Sequence, residues 1–242
     1  QLQGNPGVQL IDTGDQILGA PHVVLRASAG DLSVRNATLA EANQLVVVGH
    51  SSEVLVVPLI EGPGMQVVYR NSSNGIVGLD VSDANQLQNP EILWTVDAGV
   101  TGDVVAFDLE DDGTYEVAYA GRLEDDTPFV SVVDGDGTEI WQRTFPELDR
   151  PLFSLTAGQF GGAGNSLDVV GISFVAEGFV PVTYALDGSD GSTISSHQAQ
   201  DVGASPNREL LLLPNPDNDG TDNLLLLHNV TYERLGSDLT PR

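Results

Sequence analysis

Phe107-Asp108-Leu109-Glu110-Asp111-Asp112-Gly113-Thr114-Tyr115-Glu116-Val117 sets acidic side chains at the first, third, fifth and ninth positions of a short loop that starts at Asp108. That spacing reads as a Ca2+ cradle. Calcium takes about six to eight oxygen ligands, and alternating carboxylates reach one point only if the chain turns sharply between them. Gly113, at the sixth position, supplies the turn. The flanking runs Val104 to Phe107 and Val117 to Ala120 are short and rich in strand-forming residues. The loop therefore joins two strands, which sets it apart from the helix-flanked EF-hand.

The arrangement returns at Asn215-Pro216-Asp217-Asn218-Asp219-Gly220-Thr221-Asp222-Asn223, between Leu210 to Leu213 and Leu224 to Leu227. Midway lies a third copy, Gly158 to Val170, which keeps the glycines and the closing Asp168 but lacks the early carboxylates. Units that recur every 20 to 50 residues or so build solenoids, propellers or arrays, because each buries its apolar face against the next. Here every unit is β.

The pattern resembles the FG-GAP repeats of integrin α-subunit propellers and their bacterial and archaeal (VCBS-type) relatives, in which a D-x-D-x-D-G-x-x-D loop holds Ca2+ between two strands of a blade. Asp108, Glu110, Asp112 and Glu116 match its ligand positions, with Glu twice in place of Asp. Asn215, Asp217, Asp219 and Asn223 match them with Asn at both ends, which lowers the charge. Gly158 and Gly162 stand where ligands would be in the middle copy, which reads as a blade that kept the fold and lost the metal. The resemblance implies an all-β propeller that uses Ca2+ structurally and presents loops for adhesion, partner binding or surface assembly.

Length allows one all-β domain or two small ones, and repetition favours one, spanning 1–242. Without cysteine there is neither disulfide nor thiol chemistry. Gln1 is not an initiator Met, and no apolar run of about 18 residues occurs, so the chain reads as a processed or excised soluble piece with no membrane insertion. The net charge is −26, with 35 acidic residues against nine basic ones, all of them Arg. Such a surface repels nucleic acid and anionic membranes and suits cations and high salt, as in a halophilic or marine protein.

In chain order, Val8 to Leu18 reads as strand, Gly14 turn, strand: half a blade. His22 to Leu25 and Gln44 to Val48 are strand-like, and Glu41-Ala42-Asn43 occupies a metal-loop position without the ligands. Val54 to Leu59 and Gln66 to Arg70 form a hairpin, as do Ile76 to Val81 and Glu91 to Val96. Phe129 to Trp141 and Val182 to Ile194 repeat a strand, an Asp-Gly turn and a second strand, a form that also resembles quinoprotein-type propellers. Trp94 and Trp141 fall at matching places, where a large ring fills space between blades. Each complete unit is a metal-type hairpin followed by a Trp-type hairpin. The chain opens with a lone second hairpin and closes with a lone first one (Glu209 to Tyr232), so pairing the two would close the ring. This gives about five four-stranded blades, the one at Ile76 to Val96 incomplete, with four blades or a piece of a larger propeller as alternatives.

Catalytic constellations are thin. His22, His50, His197 and His228 lie in different units without metal-ligand spacing. Asp134, Asp136, Asp187 and Asp190 read as Asp-Gly turn residues. Asn36, Asn71 and Asn229 head N-glycosylation sequons. The expectation is a noncatalytic extracellular or cell-surface module with a protein or glycan partner at its loop face. The alternative is a polysaccharide lyase, a glycosidase or a quinoprotein-type enzyme.

Overall fold

In the computed structural model, the residues described are 8–17, 20–28, 31–36, 44–48, 50–61, 66–71, 73–81, 91–97, 99–148, 150, 152, 154–160, 168–175, 180–198, 208–214, 221–228, 231–236 and 238–241. They form antiparallel sheets without any helix. The first sheet runs in the order β1 (Val8–Ile17), β2 (Ala20–Ser28), β3 (Asp31–Asn36), β4 (Gln44–Val48). The second consists of β5 (His50–Val57), β6 (Gln66–Asn71), β7 (Ile76–Asp80) and β8 (Glu91–Val96). The third is β9 (Val100–Phe107), β10 (Glu116–Arg122), β11 (Pro128–Val133) and β12 (Glu139–Thr144). The fourth is β13 (Ser154–Gly158), β14 (Asp168–Val175), β15 (Val180–Leu186) and β16 (Thr193–Gln198). The last has three strands, β17 (Arg208–Leu213), β18 (Asn223–His228) and β19 (Thr231–Leu235).

Three of the expected units differ. Val8 to Leu18 is not a hairpin turning at Gly14. It is the single strand β1, whose register against β2 shifts between Asp12 and Ile17, so the irregularity that Gly14 marks is absorbed within the strand. The hairpin at Ile76 to Val96 is not an incomplete unit either, because β7 pairs with β6 and completes a four-stranded sheet. The closing segment adds a third strand, β19, to the expected hairpin, and Leu235 then bridges to Pro241.

The chain divides into two compact units. The first comprises residues 1–98 with the turn Gly135–Gly137, and in it Trp94 is buried, its indole N–H donating to the Gly135 carbonyl at 2.9 Å. The second comprises the remainder. There the leading strands β9, β13 and β17 lie side by side, and the Leu210 N–H donates to Ser154 Oγ at 3.3 Å between β17 and β13.

Two apolar clusters stand out among the described residues of the second unit. Phe107, Ala118, Val130, Val132, Trp141 and Phe145 meet Leu155 and Leu186 between the third and fourth sheets. Ala185 of the fourth sheet meets Leu210, Leu224, Leu226, Leu235 and Leu239. Trp141 anchors the first cluster. Its indole N–H donates to the Gly188 carbonyl at 2.7 Å, and its ring lies against Gly191, where a Cβ would come within 2.6 Å of the indole. Gly191 has φ 71°, so both backbone and space demand glycine. The next interface is built differently. Register puts Ser195, opposite Ala185, where Trp141 stands opposite Val132, and Leu239, φ 58°, takes the turn position of Gly191. A small residue and a large one have exchanged sides.

Candidate functional site

The loop between β9 and β10 begins where Phe107 and Glu116 stand paired across the two strands. Its carboxylates organise the backbone. Asp108 accepts the Asp112 N–H at 3.0 Å through Oδ1 and the Gly113 N–H at 2.9 Å through Oδ2. Asp112 Oδ1 accepts both the N–H and the hydroxyl of Thr114, at 2.8 and 2.5 Å. Glu116 Oε2 accepts the Leu109 N–H at 2.7 Å, closing the loop across its base. Asp111 takes φ 56° and Gly113 φ 87°, which turns the chain where the sequence predicts a turn.

The carboxylates differ in setting. Glu116 is buried, with 7% of its surface exposed, and burial raises its carboxyl above the ordinary value. The Leu109 N–H opposes that rise, while the negative charges of Asp108 and Asp112 add to it. Asp112 is exposed, and its hydrogen bonds from Thr114 hold its carboxyl below the usual range. Glu110 is exposed at the loop tip.

In donor chemistry this loop fits a hard cation, since every polar group it offers is an oxygen and each carboxylate oxygen engaged by one N–H keeps a second lone pair. The structure does not draw Asp108, Glu110, Asp112 and Glu116 into one cage: among the described residues no three His, Cys, Asp or Glu side chains converge on a point. The carboxylates of Asp108 and Glu116 are directed to backbone N–H groups of their own loop.

In the second loop, Asn215, Asp217 and Asp219 lie outside the described residues. Asn223 is the buried first residue of β18, opposite Leu213. Beside it stands Asp222, which the sequence reading passed over. Its N–H donates to the Gln159 carbonyl at 2.7 Å and its Oδ2 accepts the Gln159 N–H at 2.9 Å, tying the end of this loop to the segment after β13.

Of the sequon residues, Asn36 ends β3, Asn229 is outside the described residues, and Asn71 ends β6. The Asn71 Oδ1 accepts the N–H groups of Ser73 and Gly75 at 2.9 and 2.8 Å, so this amide shapes a turn. Asp187 and Asp190 act likewise as turn residues, accepting from Ser189 and Ser192. One histidine has a partner that no spacing foretold: His197 Nε2 is 3.5 Å from Glu233 Oε2, between the fourth and fifth sheets.

No protein-family profile matches the chain, and no curated protein sequence does. Its fold is similar to solved structures. One, titled as the SapL1 lectin in complex with alpha methyl fucoside, superposes with a TM-score of 0.53 at 13% identity, over 97% of this chain and 78% of the lectin. Another, the exotype rhamnogalacturonan lyase YesX, gives 0.48 at 13% identity, over 91% of this chain and 48% of the lyase, so the chain spans about half the lyase's length. The chain is thus an all-β protein of several antiparallel sheets with propeller-like neighbours.

Proposed function

We propose that this chain is a noncatalytic, Ca2+-stabilised β-propeller module, its five sheets serving as blades, that works outside the cell or at its surface and offers loops to a protein or glycan partner. The observation that carries this reading is the loop from Asp108 to Glu116, an all-oxygen donor set in a sharp turn between two strands of a repeated four-stranded sheet. Asp108, Glu110, Asp112 and Glu116 would hold the ion, whose positive charge offsets carboxylates that now repel one another. Among these, Glu116 gains most, being buried between the other two charges that raise its carboxyl.

The second loop would hold Ca2+ through Asn215, Asp217, Asp219 and Asn223. Millimolar extracellular Ca2+ suits loops of modest affinity, and sequons at Asn36, Asn71 and Asn229 accord with export. A glycan partner is in keeping with the lectin among the fold's neighbours, and the acidic surface disfavours nucleic acid and anionic membrane. Thermal melting with and without Ca2+ tests the reading. A ligand at a hundredfold excess over Kd adds about 2.7 kcal/mol, so Tm should rise by about 5–10 °C from EDTA to saturating Ca2+. An unchanged Tm would remove the structural role, and turnover of a polysaccharide by the Ca2+-loaded chain would move the protein to the enzymatic reading.

A further inference from the structure

Strands β6 and β7 are joined by Ser72-Ser73-Asn74-Gly75, and Asn74-Gly75 is the one Asn-Gly dipeptide in the chain. Both residues are dictated by the fold. Asn74 takes φ 61°, a left-handed conformation that asparagine adopts more readily than most residues. Gly75 is buried, and a Cβ there would come within 2.8 Å of the Val96 carbonyl oxygen and 3.1 Å of Asp97 Oδ1. Any larger residue at 75 would push against the end of β8.

An asparagine followed by glycine is prone to deamidation, because a next residue without a Cβ lets its backbone nitrogen close on the side-chain amide. The Gly75 nitrogen, its proton lost to solvent, attacks Asn74 Cγ. The N–Cγ bond forms, the Cγ–Nδ2 bond breaks, and Nδ2 leaves as ammonia with a proton taken from water. A water molecule then opens the five-membered imide at one of its two carbonyls, to leave aspartate or isoaspartate. Asn74 is exposed, so water reaches its amide.

The Asn71 side chain opposes that attack. The Gly75 N–H donates to Asn71 Oδ1 at 2.8 Å, and the Gly75 carbonyl accepts the Asn71 N–H at 2.8 Å. The Asn74 N–H donates in turn to the Asn71 carbonyl at 3.1 Å, so one residue holds both sides of the reacting peptide. The hydrogen that the nucleophile must lose is engaged, and the nitrogen cannot swing toward Asn74 Cγ until Oδ1 releases it. Because Gly75 is buried, breaking that bond leaves an unpaired N–H, which is costly.

We propose that Asn74 is a modification site, deamidated through Gly75 when the turn opens and guarded in the folded chain by the Asn71 side chain. Each event adds a negative charge to a chain that already carries −26 and, as isoaspartate, an extra backbone carbon just before β7. The site depends on neither the calcium nor the glycan reading.

Unglycosylated wild-type chain, Asn71→Ala and Asn71→Asp are incubated folded at mildly alkaline pH with Ca2+ saturating, and isoaspartate at residue 74 is read by peptide mapping. Asn71→Ala loses the acceptor and should form isoaspartate about two- to tenfold faster than wild type, the weight of one hydrogen bond. Asn71→Asp keeps an oxygen at Oδ1 and should stay as slow as wild type. In denaturing urea all three should react at one rate, faster than the folded wild type. Asp190-Gly191, whose glycine N–H donates to the Asp187 carbonyl at 2.8 Å, is the internal control, and its isomerisation should be the same in Asn71→Ala as in wild type. Four results each overturn the proposal: folded wild type reacting as fast as in urea, Asn71→Ala no faster than wild type, Asn71→Asp as fast as Asn71→Ala, or Asp190 accelerating in step with Asn74.

Discussion

Replacing Trp141 with alanine should destabilise the second unit more than any other single truncation in its third sheet. The indole is 8% exposed, stands in a cluster with Val130, Val132, Leu155 and Leu186, and donates to the Gly188 carbonyl. Truncating a buried aromatic to alanine costs about 3–5 kcal/mol through lost transfer energy and the cavity left behind. The orphaned carbonyl adds about 1 kcal/mol. A total of about 4–6 kcal/mol corresponds to a fall in Tm of about 8–24 °C for a chain of this size. Trp141→Phe keeps most of the volume and loses the N–H, so its cost should be nearer 1–2 kcal/mol, roughly one hydrogen bond and part of one ring. Urea unfolding followed by far-UV circular dichroism measures all three chains, leaving tryptophan fluorescence to report Trp94 alone in the variants. A loss below about 1 kcal/mol in Trp141→Ala would refute the reasoning, because a cavity of that size cannot be so cheap unless the ring is not packed as described.

Calorimetry should show tighter Ca2+ binding at the first loop than at the second, so Asp112→Ala removes more heat at micromolar Ca2+ than Asp219→Ala; the first loop offers four carboxylates and the second two. With Ca2+ saturating, Tm should rise with KCl, most steeply as the Debye length falls from about 30 to 10 Å, and a flat curve would show that the −26 charge is spaced well enough not to matter. Glu116→Gln, melted in EDTA, should exceed the wild type at pH 7. Burial raises the folded carboxyl, so the native state holds the proton more tightly than the unfolded chain. That stabilisation is complete below the unfolded value and is lost as pH rises through the folded one. The two proteins should therefore converge in acid, and a variant no more stable at pH 7 would show that the Leu109 N–H already compensates.

The sequence disclosed what is local. Asp-Gly punctuation located the turns at Asp134 and Asp187, and alternating carboxylates located the loop at Asp108, because both are written within ten or so consecutive residues. It misread Gly14 as a turn, since a glycine inside a strand signals a bulge as readily as a reversal. It missed β3, where Asp31 to Asn36 mix charge and polarity without a clean alternation, and so left the first sheet a strand short. The His197–Glu233 contact was out of reach for another reason. It needs the cross-strand register of β15 and β16 and the identity of the sheet that follows, and no spacing along the chain encodes either.

The exchange of Trp141 and Gly191 for Ser195 and Leu239 bears on how the chain assembles. A sheet edged with tryptophan accepts only a neighbour whose turn has glycine at the left-handed position, since any Cβ there meets the ring. The sheet edged with Ser195 would leave a hollow beside such a glycine and is filled by Leu239 instead. The two kinds of interface are therefore mutually exclusive, Trp94 against Gly137 and Trp141 against Gly191 being of one kind and Ser195 beside Leu239 of the other. A tryptophan edge docked on Leu239, or the Ser195 edge docked on a glycine turn, would start with a collision or a void, so the place of the fifth sheet in the order is written into its contacts as well as into the covalent chain.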